Sequence, residues 1–89
     1  MNMLDTPYQD IGDRLRWHRE LMGMTQAEYA AAIGVRRNSY TTWETGAQRL
    51  SLNGARAIKQ RFGLPLDWLI DGDDDALPMT VRNAWLSKP

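Results

Sequence analysis

The sequence contains no cysteine, only one histidine and no net charge. The lack of cysteine excludes a disulfide framework and a thiolate metal site, and a lone histidine cannot form a zinc site. No apolar run approaches the roughly 18 residues that a membrane span needs. The acidic start of the chain, residues 1–10, lacks the apolar core of a signal peptide. We therefore expect a cytoplasmic protein with no cofactor, no metal and no membrane association.

Residues for catalysis are also missing. The sequence offers no nucleophile paired with a base and no paired carboxylates in an evident pocket, so we expect no catalytic residue and no enzyme. We expect His18 to be partly exposed with a local partner. The run from Asp71 to Asp75 resembles a calcium loop, but it lacks the alternating ligand spacing and the distal glutamate of an EF-hand. A solvated linker is the favoured interpretation.

The 89 residues, 43% of them hydrophobic, suffice for one globular domain. The charges are unevenly distributed along it. Residues 11–63 carry nine Arg or Lys against four acidic residues, whereas residues 64–76 carry five Asp and no base. A basic block of this kind is compatible with a polyanionic partner.

Helix start and stop signals divide the chain. Thr6, Pro7 and Gln9 predict a capped first helix with Pro7 as its first residue. Its apolar stripe would be formed by Ile11, Leu15, His18 and Met22. Thr25, with Glu28 three residues later, is predicted to cap a second helix over about 25–32. Further helices are predicted over about 36–44, from a start at Ser51 to Gly63 and from Pro65 to Gly72.

These signals predict an all-α fold, a compact bundle of about five helices. No strand pattern appears. Residues 1–72 are predicted to form the domain, and residues 73–89 an acidic linker with a short tail of one or two helical turns. In the fourth helix Leu52, Ala55, Ile58 and Phe62 are predicted to face the core. Trp85 in the tail is expected to pack on its own domain or on a partner chain.

The stretch "TQAEYAAAIGVRRNSYTTWETG", from Thr25 to Gly46, has the pattern of two short helices joined at a corner. Ala30 is small enough to let the helices approach, and Gly34 suits the turn between them. Val35 would fill the space under the corner. The third helix should bury Ser39, Tyr40 and Trp43. This is the pattern of a helix-turn-helix motif.

With "IGDRLRWHRELMGMTQAEYA", "IGV", "WETG" and "FGLPLDWLIDG" in this order, the chain resembles the phage-repressor-like helix-turn-helix family, related to lambda repressor and Cro and called XRE-type regulators. The resemblance covers roughly residues 11–72. It implies a lambda-repressor-like fold and a regulator of transcription that binds double-stranded DNA. The second helix of the motif would lie in the major groove.

The resemblance also implies a set of contacts. Arg37 suits guanine and Asn38 suits adenine, while Thr41 and Thr42 can touch thymine methyl groups. Gln26 would contact a phosphate and brace Arg37. The implied DNA-binding residues are Gln26, Arg36, Arg37, Asn38, Thr41, Thr42, Gln48 and Arg49, the last two facing phosphate.

Two residues depart from the family's pattern. Arg36 stands where a capping Ser or Thr is usual, so the helix loses a cap and gains either a phosphate contact or a solvated cation. Tyr40 replaces an aliphatic residue and is expected in the core with its hydroxyl reaching the surface. Arg19 and Glu44 match the family's pattern of an ion pair between the first helix and the third.

One motif contacts half a site, so the resemblance implies a homodimer on a palindromic operator. The dimer would use the fifth helix, around Trp68 and Leu69, or the tail. The alternative is a protein-interaction adaptor with the same fold that does not bind DNA, which the neutral net charge favours.

Overall fold

The computed structural model describes residues 7–89, and in this range the chain is helical with no strand. The helices are α1 (Gln9–Leu21), α2 (Gln26–Ala32), α3 (Arg37–Glu44), α4 (Leu52–Phe62), α5 (Leu66–Asp71) and α6 (Met79–Leu86). The all-α prediction is confirmed. The sixth helix is the tail, which the sequence predicted as one or two helical turns. None of these helices is both long and apolar enough to cross a membrane.

Helix α1 begins at Gln9, two residues later than predicted, and Pro7 is not helical. Thr6, the proposed cap, lies outside the described residues. Tyr8 is the N-cap, and its side chain makes no capping bond. Its backbone N–H instead donates to the carbonyl oxygen of Gly46 at 3.2 Å. The start of α1 is therefore held by the loop that follows α3.

Helices α2 and α4 begin at the predicted caps. Thr25 accepts a hydrogen bond from the backbone of Glu28 at 3.1 Å, and the Glu28 carboxylate accepts one from the backbone of Thr25 at 2.9 Å. This reciprocal pair is a capping box. The Ser51 hydroxyl accepts from the backbone of Gly54 at 3.0 Å. Gly63 closes α4 with φ +75°.

The core contains most of the apolar residues that the sequence predicted, but Leu52 is 57% exposed. The first turn of α4 meets the core at Gly54 and not at Leu52. A Cβ atom on Gly54 would lie 2.5 Å from Cη2 of Trp43, so the indole fills the space beneath the first turn of α4. Met22 is exposed too, because α1 ends at Leu21. Both predictions of burial were wrong.

Gly12 brings α1 against the end of α3. A Cβ atom at this position would collide with the carbonyl oxygen of Glu44 and lie 3.0 Å from that of Trp43. Only glycine allows this approach of the two backbones. The sequence analysis missed this residue. The contact holds the C-terminal end of α3 against the first turn of α1.

Arg14 holds α5 to α1. Its Nε donates to the carbonyl oxygen of Leu69 at 3.2 Å and its Nη2 to that of Ile70 at 3.0 Å. These carbonyls belong to the last turn of α5, where a helix has no internal partners for them. Arg14, which the sequence analysis counted only as part of the basic block, thus caps the C-terminal end of α5 from inside the protein.

Helix α6 packs on its own chain. The Trp85 ring lies 4.9 Å from Trp17 and 5.2 Å from Trp68, measured between ring centroids, with edge-to-face geometry in both pairs. Leu77, just before the helix, is buried in the core. Trp68 and Leu69 are fully buried, so the prediction that they form a dimer contact is wrong.

Candidate nucleic-acid interface

The corner between α2 and α3 has the predicted geometry. Gly34 adopts φ +73°, and the backbone N–H of Val35 donates to the carbonyl oxygen of Ala30 at 3.0 Å. Ala30 is buried, and Val35 packs against the core. The turn is therefore made by a glycine in a conformation that other residues rarely adopt. It sets α3 at an angle across α2.

Helix α3 has two different faces. Tyr40, Trp43 and Glu44 are buried, whereas Arg37 and Asn38 are exposed. Ser39, predicted to be buried, is only half-buried. Thr41 and Thr42, one turn after the exposed pair, are partly exposed. The outward face thus begins with the residues that the family resemblance assigned to bases.

The first residues of this face are not engaged within the protein. Across residues 7–89, the side chains of Arg36, Arg37 and Asn38 have neither a hydrogen bond nor an ion pair. Arg36 is the N-cap residue and makes no side-chain cap, as predicted. Its cation and that of Arg37 stand beside unsatisfied backbone N–H groups, an arrangement suited to an anion.

Arg19 and Glu44 form the predicted ion pair between α1 and α3. Nε of Arg19 lies 2.9 Å from Oε2 of Glu44, and Nη2 lies 2.8 Å from Oε1, a bidentate contact. The Glu44 side chain is only 4% exposed and that of Arg19 16%. Burial acts to raise the pKa of Glu44, but hydrogen bonds from Arg19 and Gln26 and the positive charge of Arg19 outweigh it and the pKa is lowered. Glu44 is therefore an ionised acceptor inside the protein.

Tyr40 lies in the core as predicted, but its hydroxyl does not reach the surface. The residue is fully buried, and its hydroxyl donates to the carbonyl oxygen of Leu15 at 3.5 Å. Its ring packs against Tyr29 at 5.0 Å between centroids. Burial raises the pKa of Tyr40, so the hydroxyl stays protonated. Because Tyr40 points into the core, the outward face of α3 still carries the residues that were expected there.

Gln26, the first residue of α2, does not brace Arg37. Its Nε2 donates to Oε1 of Glu44 at 3.4 Å, and its Oε1 accepts from the hydroxyl of Thr41 at 3.3 Å. The side chain therefore joins the start of α2 to the middle of α3. The prediction of an Arg37 contact was wrong because the buried carboxylate of Glu44 attracts the amide instead.

Gln48 and Arg49 lie in the loop after α3 and are exposed. The single proton of the Thr42 hydroxyl is donated to the carbonyl oxygen of Ser39 at 2.7 Å, and Oε1 of Gln48, at 3.2 Å, is a second and longer acceptor for it. Arg49 has no hydrogen bond or ion pair with the rest of the described chain. The loop thus presents one anchored amide and one free cation.

His18 is buried, not partly exposed as predicted. It is 2% exposed, and its Nδ1 lies 2.8 Å from the hydroxyl of Tyr29. Burial lowers its pKa to about 4, so the ring is neutral near pH 7. The Phe62 ring packs edge-on against it at 5.1 Å. His18 therefore packs between α2 and α4, through Tyr29 and Phe62.

The acidic run after α5 forms an exposed turn. Oδ1 of Asp73 accepts from the backbone of Asp75 at 3.0 Å, and carboxylate oxygens of residues 73–75 approach within 4.8 Å of one another. The guanidinium of Arg82 lies 3.9 Å from carboxylate oxygens of both Asp74 and Asp75. An arginine from α6 therefore offsets part of this negative charge.

Comparisons with known proteins agree with this geometry. The model of a helix-turn-helix family matches residues 15–69, more than half of the chain. The HTH-type transcriptional regulator DicA of Escherichia coli (strain K12) is 27% identical over 75 residues, which cover 84% of this chain and 56% of DicA. The chain thus spans about half the length of this curated relative. No solved structure matches it significantly. The chain belongs to the helix-turn-helix family of phage-repressor-like, XRE-type transcriptional regulators.

Proposed function

We propose that this protein binds double-stranded DNA sequence-specifically and regulates transcription, with α3 in the major groove. One observation carries the proposal. Arg37 and Asn38 are exposed at the start of α3 and have no partner elsewhere in the described chain. Exposed polar side chains without a hydrogen-bond partner in the described chain are available to base edges, and a helix fits the width of the major groove.

The residue types suggest which bases are read. The guanidinium of Arg37 can donate to both O6 and N7 of guanine, and the amide of Asn38 can pair with N6 and N7 of adenine. Thr41 and Thr42, one turn later, would meet bases further along the groove. The methyl group of Thr42 can contact the methyl group of thymine.

Phosphate contacts would fix the orientation of α3. We assign them to Arg36 at the start of the helix, to Gln26 beside it and to Gln48 and Arg49 after it. The second amide hydrogen of Gln26 is not used by its bond to Glu44 and can donate to a phosphate oxygen. Such contacts position a protein on DNA without reading sequence.

We further propose a homodimer on a palindromic operator, since one motif covers only a half-site. Met79 and Leu86 of α6, 64% and 59% exposed, are the apolar residues best placed to form the contact. Replacing both by serine should reduce the dimer fraction in sedimentation experiments. Leu52→Ser is the matched control, because Leu52 is equally exposed on α4. An unchanged dimer in the double variant would reject this interface.

The function is tested by selecting bound duplexes from a random pool and sequencing them. We expect two inverted half-sites at a fixed spacing, and each should contain a guanine and an adenine in positions that Arg37 and Asn38 can reach. Enrichment of a single half-site would reject the dimer on its operator. No enrichment at all would reject sequence-specific binding.

The adaptor alternative is not favoured, because the family and the curated relative are transcriptional regulators. Regulation of transcription also implies a cytoplasmic location, which cell fractionation would check. If DNA is the partner, the logarithm of the affinity should fall linearly with the logarithm of the salt concentration, in proportion to the phosphates contacted. An adaptor would show no such dependence with DNA.

A further inference from the structure

A chain of hydrogen bonds runs from the interior of the protein to the outward face of α3. Arg19 binds Glu44, Glu44 accepts from the amide of Gln26, and the carbonyl of that amide accepts from the hydroxyl of Thr41. We name these four residues the relay. Its inner end is buried and its outer end, Thr41, is partly exposed on the face assigned to DNA.

The chemistry of the buried end determines the direction of every bond in the relay. An ionised carboxylate accepts hydrogen bonds and cannot donate them, so the amino group of the Gln26 amide must face Glu44. The amide oxygen then faces Thr41. Since an amide oxygen accepts only, the proton between the two residues must belong to the hydroxyl of Thr41. The orientation of the Gln26 amide therefore follows from the negative charge of Glu44.

This direction limits what Thr41 can do in the groove. With its proton engaged at 3.3 Å by Gln26, the hydroxyl oxygen retains only acceptor capacity. In the major groove the donors are the exocyclic amino groups, N6 of adenine and N4 of cytosine. Guanine O6 and N7 and thymine O4 are acceptors, and they would oppose the lone pairs of Thr41.

We propose that the relay makes Thr41 an obligate hydrogen-bond acceptor that selects adenine or cytosine at one position of each half-site. The inference rests on the proposed function, because it requires α3 to lie in the major groove. Thr41 is the specificity-determining residue, and Gln26 is a positioning residue that acts through it.

Thr42 provides an internal comparison. Its hydroxyl donates to the backbone carbonyl of Ser39 at 2.7 Å, a shorter contact than the 3.2 Å to Gln48. Removing the Gln48 side chain therefore leaves the proton of Thr42 engaged. Gln48→Ala is accordingly the matched control for Gln26→Ala, because each variant removes a glutamine next to a threonine of α3.

The test repeats the duplex selection with the full chain and its variants, and then measures affinities for the selected operator with each of the four bases at the Thr41 position. The wild type should favour adenine or cytosine over guanine and thymine by about three- to tenfold, the range expected for one hydrogen bond. Thr41→Val, which keeps the shape but has no acceptor, should lose this ratio.

Gln26→Ala should also reduce the ratio, because the freed hydroxyl can rotate and donate to guanine or thymine. It should weaken binding to all four operators as well, through its lost phosphate contact, so the ratio and not the affinity is decisive. Gln48→Ala should also weaken binding to all four operators, because it loses its own phosphate contact, but it should keep the ratio. A preference that survives in Thr41→Val, or in Gln26→Ala, would overturn the inference while leaving the proposed function intact. A failure of the wild type to select any duplex would overturn both.

Discussion

Two arginines of α1, Arg14 and Arg19, contrast sharply with the two at the start of α3, although all four belong to the same basic block of the sequence. Arg14 and Arg19 point inward, where one caps α5 and the other binds Glu44 in a bidentate contact. Arg36 and Arg37 are exposed and have no partner in the described chain. The first pair stabilises the fold, and the second is available to an outside anion.

The contrast shows that a surplus of cations is a poor measure of DNA affinity until each cation is placed. The charge that Arg19 carries is neutralised by Glu44, so it adds little to the field at the surface. Of the exposed cations without an ion pair in the described chain, Arg36, Arg37 and Arg49 lie at the start of α3 and in the loop after it, and three more lie on α4. A neutral chain can therefore present a local positive surface. This weakens the case for the adaptor that rested on net charge.

The sharpest test of the contrast is the removal of an inner arginine. Arg19→Ala leaves the Glu44 carboxylate, 4% exposed, without its cation. We expect the free energy of unfolding to fall by about 3–5 kcal/mol in denaturant titrations. Arg16→Ala is the matched control on the same helix, since Arg16 pairs with Asp13 at 2.8 Å on the surface. It should change stability by less than about 1 kcal/mol. Equal effects would mean that the α1–α3 pair is only a surface contact.

His18 extends the comparison, because it is a third basic residue on the inner side of α1, and it is the one that titrates below neutral pH. Its pKa is lowered from 6.5 to about 4 by burial, so the unfolded chain binds its proton first as pH falls. Stability is complete above about pH 6.5 and is lost progressively toward pH 4, by about 3 kcal/mol in full. Denaturant titrations between pH 7 and pH 5 should show this slope.

His18→Gln should flatten that slope, because glutamine can still accept from Tyr29 but does not titrate. The pH range excludes a contribution from Glu44, whose lowered pKa places its loss of stability below about pH 4.5. An unchanged slope in the variant would assign the pH dependence to other groups.

The fold could be predicted largely from local signals. The capping box at Thr25, the cap at Ser51 and the glycine corner at Gly34 depend on near neighbours in the chain, and all three are confirmed. Leu52 was wrongly placed in the core, because the first turn of α4 meets the ring of Trp43, a residue distant in sequence, at Gly54 and not at Leu52. Helical periodicity carries no information on such contacts.

Predicting the candidate interface was limited in the same way. The family resemblance placed Arg37 and Asn38 on the outward face of α3, and both are exposed. The partner of Gln26 was not predictable, because it depends on how deeply Glu44 is buried between α1 and α3. Gly12 was missed for a related reason, since a glycine inside a helix gives no sign that another backbone lies against it.

The smallest expected effects distinguish two outer arginines from each other. Arg37→Ala should cost about 1–3 kcal/mol on the selected operator and little on scrambled DNA, since it removes a base contact. Arg49→Ala should weaken binding to both DNAs similarly and reduce the salt slope by about 1, since it removes a phosphate contact. Both residues are exposed cations, so neither variant should alter folding. If the two variants lose affinity equally on both DNAs, the start of α3 does not read bases, and its free arginine serves only as another phosphate contact.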